Sequence, residues 1–433
     1  MRASAYRFSI DDHKLFVVAT DGYLVEPFET DYIIIHSGER YDFLLNATQK
    51  NSARWYLMRI ETLAIDCVSK ERLKNSGLAL LGYDNSSYDE FLANCNSLGE
   101  NPRGCNKRAP CTVINCPFEA YAFGVGLECR HLNELKLLYE TPACDIPDSE
   151  NITSTRTWFF DFKRAGSIAT VNDKQFEFPH IALQVSSYNG QINECKYNEQ
   201  CSADNTNQCV QIVDIRDKYF NTSLRFVLSS LGDFLHPIHL HGHSFHVVKI
   251  GYPTYFTNGT IDKPTQDLQD NECGHPSWKN NSAPDDIKAN STTVRKDTIM
   301  VPAGGYVVIE FRADNPGYWF MHCHIDPHLE MGMAAVIKEL KGCQNVSPPA
   351  NLTEINKDFC WTVAEFKEQK HYSCNATSDN PAKSAEPDPM IQKDGVLKDQ
   401  PVKSKNYYSP RTDGRTNRER ERSIGKNITF WTR

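Results

Sequence analysis

No stretch of this chain reaches the roughly 18 consecutive apolar residues that a membrane-spanning helix needs. A surplus of positive charge is missing too. The 47 Lys and Arg face 55 Asp and Glu, and the net charge of -8 argues against a general nucleic-acid binder. There is no HExxH and no GxSxG, so neither the common zinc-hydrolase helix nor a serine nucleophile elbow is present. Helical periodicity is scarce, which leaves β-structure as the main way to bury apolar side chains. The opening "MRASAYRFSIDDHKLFVVATDG" lacks the continuous apolar core of a signal peptide and reads at once as alternating strand.

Cysteine, by contrast, is abundant. Fifteen in 433 residues are too many for a typical enzyme of a reducing compartment, and Cys95, Cys105, Cys111, Cys116, Cys129, Cys195, Cys201 and Cys209 sit in loop-like segments. With Cys323 set aside, an even fourteen remain for disulfides. Eleven N-x-S/T tripeptides accompany them, at Asn46, Asn85, Asn151, Asn221, Asn258, Asn280, Asn290, Asn345, Asn351, Asn375 and Asn427. Together these features predict an extracellular, secreted glycoprotein. Since the chain starts inside a strand, its front end is expected to precede Met1.

The length predicts two or three domains. Hydrophobic residues at 40% support a folded core, while the mean hydropathy of -0.53 implies a polar portion beside it. Charge is uneven: residues 401–433 carry nine Lys or Arg against three Asp or Glu, a basic tail on an acidic body. Strand-like runs fill 1–66, among them "KLFVVATDGYLVEP", "DYIIIHSGERYDFLL" and "ARWYLMRIET". Residues 67–156 are cysteine-rich and irregular, with a short helix expected near "RHLNELKLLYE". Strands resume at "TWFFDF" and continue through "SLRFVLSS", "HSFHVVKIG", "DTIMVPAGGYVVIEFRA" and "AAVIKEL". The pattern predicts two antiparallel β-sandwich units. From about 378 to 426 apolar clusters are lacking, and disorder is expected.

Eight of the fourteen histidines fall in two windows, "HPIHLHGHSFH" from His236 to His246 and "HCHIDPH" from His322 to His328. Alternation along a strand sends His322 and His324 to one side and Cys323 to the other. In the first window His239 and His241 share a face, and His236 faces the opposite way. The simplest grouping is one site of Cys323, His236 and His328, and a second fed by His239, His241, His322 and His324. A thiolate, two imidazoles and a weak axial thioether describe a blue-copper electron-transfer centre, with Met333 placed as the axial ligand. An imidazole-only site suits copper that binds O2. Zinc is the chemical rival, but a single tetrahedral zinc has no need of doubled His-x-His pairs.

At these residues the sequence resembles the multicopper oxidases, and among them the laccases. "HPIHLHGHSFHVV" and "WFMHCHIDPHLEMGM" are similar to the two C-terminal copper signatures of that family, and "RKDTIMVPAGGYVVIEFRADNPGYW" to the segment between them. "FSIDDHKLFVVATDGYLVEP" with "GERYDFLLNAT" resembles the family's middle domain, so the likeness spans roughly residues 5–340. It implies an all-β fold of tandem cupredoxin-like Greek-key β-sandwich domains with a disordered C-terminal tail. Residues 1–145 would be a truncated second cupredoxin domain, 146–345 the third, and 346–433 an extension and basic tail. It implies type 1 copper on His236, Cys323 and His328 with Met333 axial, type 2 copper on His239, and the type 3 pair on His241, His322 and His324. Met333, where some members carry Leu or Phe, implies a moderate potential.

The implied activity is one-electron oxidation of phenols or aromatic amines, with His328 as the electron-accepting edge, coupled to four-electron reduction of O2 to water. Asp326 is a candidate to orient a ligand or relay protons, a solvated loop aspartate being the alternative. His243 and His246 are expected around the ligands rather than on the metal. The family's trinuclear cluster takes eight histidines, four of them from an N-terminal cupredoxin domain. The other histidines here, His13, His36, His131, His180, His275 and His371, form no second pair of His-x-His motifs. The chain is therefore expected to complete type 1 copper and half the trinuclear site. A truncated, catalytically incompetent copper-binding product and an Fe(II) oxidase are the competing readings.

Overall fold

The computed structural model describes residues 5–47, 55–63, 76–83, 104–121, 124–143, 145–179, 183, 192–197, 208–271 and 275–339, and the backbone of 428–432. The expected disorder at 378–426, His180, His371 and the remaining cysteines lie outside the described residues.

Strands dominate, and their sequences say why. "LFVVAT" (Leu15–Thr20) alternates buried with half-buried positions, then turns at Asp21 and Gly22, both at positive φ, into Tyr23–Thr30. Two successive residues at positive φ make the primed turn whose twist matches the strands it joins. That hairpin and Tyr41–Leu45 form a three-stranded sheet, facing a seven-stranded one that holds Tyr6–Ile10, Tyr32–Ile35, Trp55–Thr62 and Ser76–Tyr83. The terminal segment Ile428–Thr432 pairs antiparallel with Ser76–Tyr83 at the edge of that sheet.

Residues 157–339 supply a six-stranded and a seven-stranded sheet packed face to face. "SLRFVLSS" (Ser223–Ser230) is buried at every position, as a central strand covered on both faces requires. The sheets are mixed rather than purely antiparallel. Thr157–Ala165 runs parallel to Ser223–Ser230, and Gln208–Ile215 parallel to Ala334–Glu339. Such neighbours arise where the chain crosses between sheets instead of turning back in a hairpin. One apolar cluster runs from Ile10, Leu15 and Val17 through Leu132 to Phe226, Cys323 and Met333, so both parts of the chain share a core.

The helix expected near "RHLNELKLLYE" is a single 3-10 turn, Leu132–Glu134, whose Glu134 carboxylate accepts from the His131 backbone N–H. An isolated helix that short is marginal. Tertiary pairing wins instead, as Leu137 N–H donates to Thr292 O and Leu138 N–H to Leu24 O. Among the described residues three disulfides, Cys105–Cys111, Cys116–Cys129 and Cys195–Cys209, brace the loops, and Cys323 stays a free, buried thiol.

Candidate metal centre

Two neighbouring strands build the centre. His236–Leu240 pairs antiparallel with Gly317–Cys323, placing Ile238 opposite Cys323 and His239 opposite His322. Cross-strand partners share a face, so His236, two residues before Ile238, joins Cys323, while His239 joins His322 on the other side. Past the strand a short helix, Asp326–Glu330, starts with Pro327 in its first turn and carries His328 back toward the sheet. Two backbone bonds close the loop: Met333 N–H to His328 O at 3.0 Å and Cys323 N–H to Met333 O at 3.1 Å. Met333 thus returns beside Cys323, fully buried.

The first site is tight. Cys323 Sγ stands 3.7 Å from both His236 Nδ1 and His328 Nδ1, and the two nitrogens are 3.2 Å apart. Among the described residues this is the one group of three His, Cys, Asp or Glu donors within 4.8 Å of one another. Burial pushes the Cys323 thiol up to about 12. Burial, then His328 and Arg164, push His236 down to about 3; burial and then Arg164 lower His328 to about 4. A neutral thiol and two neutral imidazoles are left facing one another, and two neutral rings offer at most one N–H between facing nitrogens. These spacings suit three ligands around one ion with bonds of about 2.0–2.3 Å. A trigonal set of two histidines and a cysteine with a buried methionine alongside fits copper.

On the opposite face His241 Nε2 lies 3.3 Å from His322 Nε2. The ring centres of His239 and His241 are 4.7 Å apart, those of His322 and His324 5.7 Å, and those of His239 and His324 5.9 Å. Backbone carbonyls fix two of the rings. His239 Nδ1 meets Asp297 O at 2.8 Å and His322 Nδ1 meets Cys323 O at 3.0 Å, and with Nδ1 donating, each Nε2 carries the lone pair that a metal would take. Burial, then His239 and His324, lower His241, and burial lowers His322 to about 4.

The seven histidine and cysteine donors expected from the two sequence windows lie in two sets. Asp326 is exposed at the start of the short helix and has no hydrogen bond to a histidine. His243 is buried with Nε2 2.9 Å from Glu339, against Phe311 and Trp319. His246 is buried with neither ring nitrogen partnered. Residues of the first sheets, not foreseen from the sequence, hold the histidines from behind. Gly38, at φ +85, lies so close that a Cβ there would stand 2.5 Å from His324. Arg40 grips the Asp297 carboxylate with two bonds of 3.0 and 2.5 Å, and Lys296, wholly buried, sits 3.3 Å from Asp21 and 3.6 Å from Glu39. Their signals, "GERYD" and "RKDT", read only as strand flanks when taken alone.

Multicopper oxidase family profiles match residues 3–86 and 179–342, more than half of the chain between them. The chain belongs to the multicopper oxidase family. Relatives of this multicopper oxidase include the iron transport multicopper oxidase FET5 of Saccharomyces cerevisiae, 27% identical over 76% of this chain and 46% of its own length. Laccase-10 of Oryza sativa is 28% identical over 80% of this chain and 58% of its own. Among solved structures, Fet3p, a multicopper oxidase of iron import, superposes with a TM-score of 0.50 at 19% identity, over 78% of this chain and 53% of that one. A laccase from Botrytis aclada gives 0.50 at 22% identity, over 79% and 50%. At such identities the structures establish the cupredoxin-like fold, and copper is the family's cofactor. The chain spans about half the length of the relatives it matches.

Proposed function

We propose that this chain is the electron-accepting part of a laccase-type oxidase, with His236, Cys323, His328 and Met333 holding type 1 copper. The trigonal meeting of Cys323, His236 and His328 carries this reading. Bound copper supplies a one-electron acceptor at that site and, at a completed trinuclear cluster, the reduction of O2 to water. The chain's own residues supply the wiring. The Cys323 backbone runs directly into His322 and His324, and its carbonyl accepts from His322 Nδ1 at 3.0 Å, so covalent and hydrogen-bonded routes link the two faces. His328, the most exposed of the three donors at 5%, is the side from which a phenol or aromatic amine gives up an electron. His239 is assigned to type 2 copper and His241, His322 and His324 to the type 3 pair, with a further cupredoxin domain completing the set. Three disulfides and the eleven N-x-S/T tripeptides support a secreted glycoprotein.

Two further readings have specific support. Asp326 and Glu330 are exposed carboxylates on the helix of His328, and two relatives are iron transport oxidases, which favours Fe(II) as reductant. The outward face gathers four histidines among the described residues, half of what the family's trinuclear cluster takes, which favours a copper-binding chain without turnover. Copper content with O2 uptake separates them. Four coppers with phenol-dependent uptake support the laccase-type oxidase; one thiolate copper without uptake defeats turnover by this polypeptide; uptake with Fe(II) alone defeats the phenol assignment.

A further inference from the structure

We propose that Arg164 and Phe234 form the outer wall of the Cys323 site and select its reducing partner by charge, favouring aromatic anions over cations. The inference rests on the type 1 reading of that site and adds the substrate class.

Arg164 lies near the end of strand Thr157–Ala165, which turns at Gly166 and returns with Ala169 opposite Arg164. Ala169 N–H donates to Met331 O at 3.2 Å, and Gln175 Nε2 to the same carbonyl at 2.9 Å, so this hairpin is seated on the segment that follows His328. On its other side the Arg164 guanidinium stands 5.2 Å over the ring of Phe234, two residues before His236. Ser230 Oγ holds the Phe234 carbonyl at 2.6 Å. Arg164 therefore spans the two segments that supply the imidazoles.

Among the described residues the charge of Arg164 is uncompensated: no carboxylate pairs with it, and its Nε is buried without an acceptor. Lys163, next in the chain, is instead surrounded by Asp161, Asp173 and Asp270 at 3.2–3.5 Å. The nearby acids in sequence, Asp233, Asp326 and Glu330, are exposed, where water and salt screen them more than a half-buried cation. Phe234 at 42% and Ile168 at 47% exposed add an apolar surface of the kind an aromatic ring covers. A cation held over one aromatic face beside an open apolar patch suits a flat anion such as a carboxylated phenol. It repels a small dication.

The test uses outer-sphere reductants of opposite charge on the copper-loaded chain. Hexacyanoferrate(II) and hexaammineruthenium(II) each give one electron to the site, read by stopped-flow bleaching of the thiolate-copper band. At low ionic strength Arg164→Gln should lower the anion-to-cation rate ratio by about 5- to 10-fold, the difference vanishing in high salt. An unchanged ratio, or an equal fall in both rates, overturns the proposal, as does a larger shift from Asp326→Asn than from Arg164→Gln. Calorimetry on the metal-free chain gives a second readout: 4-hydroxybenzoate should bind more tightly than tyramine, and Arg164→Gln should erase the preference. A chain that forms no thiolate-copper band overturns the type 1 reading itself. A normal band with no charge preference overturns only the role of Arg164.

Discussion

At the scale of single residues, the centre depends on side chains that are costly to bury alone. Cys323 is a thiol with its pKa raised by burial, so metal binding must release its proton. Met333 is fully buried between the two backbone bonds that close its loop. Met333→Leu keeps volume and should cost less than about 1.5 kcal/mol of stability. A redox titration should show the copper becoming more oxidising, because the weak axial thioether is gone; an unchanged potential removes Met333 from the ligand set. Gly38 offers a prediction of another kind. Its positive φ and the 2.5 Å approach of a hypothetical Cβ to His324 mean that Gly38→Ala must shift that ring as well as strain the backbone. A loss of about 1–3 kcal/mol in urea unfolding is expected, together with weaker binding of metal at the four-histidine face but not at Cys323.

At the scale of elements, the sheet register does the sorting. One strand pair sends Cys323 and His236 inward and His322 and His239 outward, a consequence of period-two alternation readable in "HPIHLH" and "MHCH". Hence the two donor sets were legible in the sequence. The frame behind them was not, because Arg40 and Asp297 are 257 residues apart and meet only after folding. Nor could sequence show that "NELKLLYE" gives up helix for backbone bonds to 291–293, since local propensity yields to pairing with a segment far away in the chain. The 36–40 turn and Lys296 tie the first sheets to those that carry the clustered histidines. Lys296 is buried between Asp21 and Glu39, and Glu39 also accepts from His36 and Asn115 at 2.8 and 2.7 Å. Lys296→Met would leave two buried carboxylates without their cation and should cost about 3–5 kcal/mol by chemical denaturation. A loss below 1 kcal/mol would show that the junction does not depend on this charge. Arg40 is half exposed, so Arg40→Ala should cost far less, about 0.5–1 kcal/mol.

At the scale of the whole molecule, a shared core joins both parts of the chain, and its buried histidines set the acid limit. His246 lies in the core with its pKa lowered to about 4, by burial first and by Arg295 second. A depressed folded value means the unfolded state binds the proton more readily. The stability His246 confers is complete above about 6.5 and is lost as pH falls from there to about 4. His246→Leu should therefore flatten the fall in unfolding free energy between pH 7 and 4 by up to about 3 kcal/mol. Equal slopes in both proteins would show that His246 does not titrate with folding.

Titrating the metal-free chain with copper decides whether His236, Cys323, His328 and Met333 form a type 1 copper centre. Thiolate-copper absorption and electron paramagnetic resonance report the outcome. One equivalent with an intense thiolate-copper band is expected, absent in Cys323→Ser while the fold is retained. Copper binding without that band, or a band that survives Cys323→Ser, would contradict it.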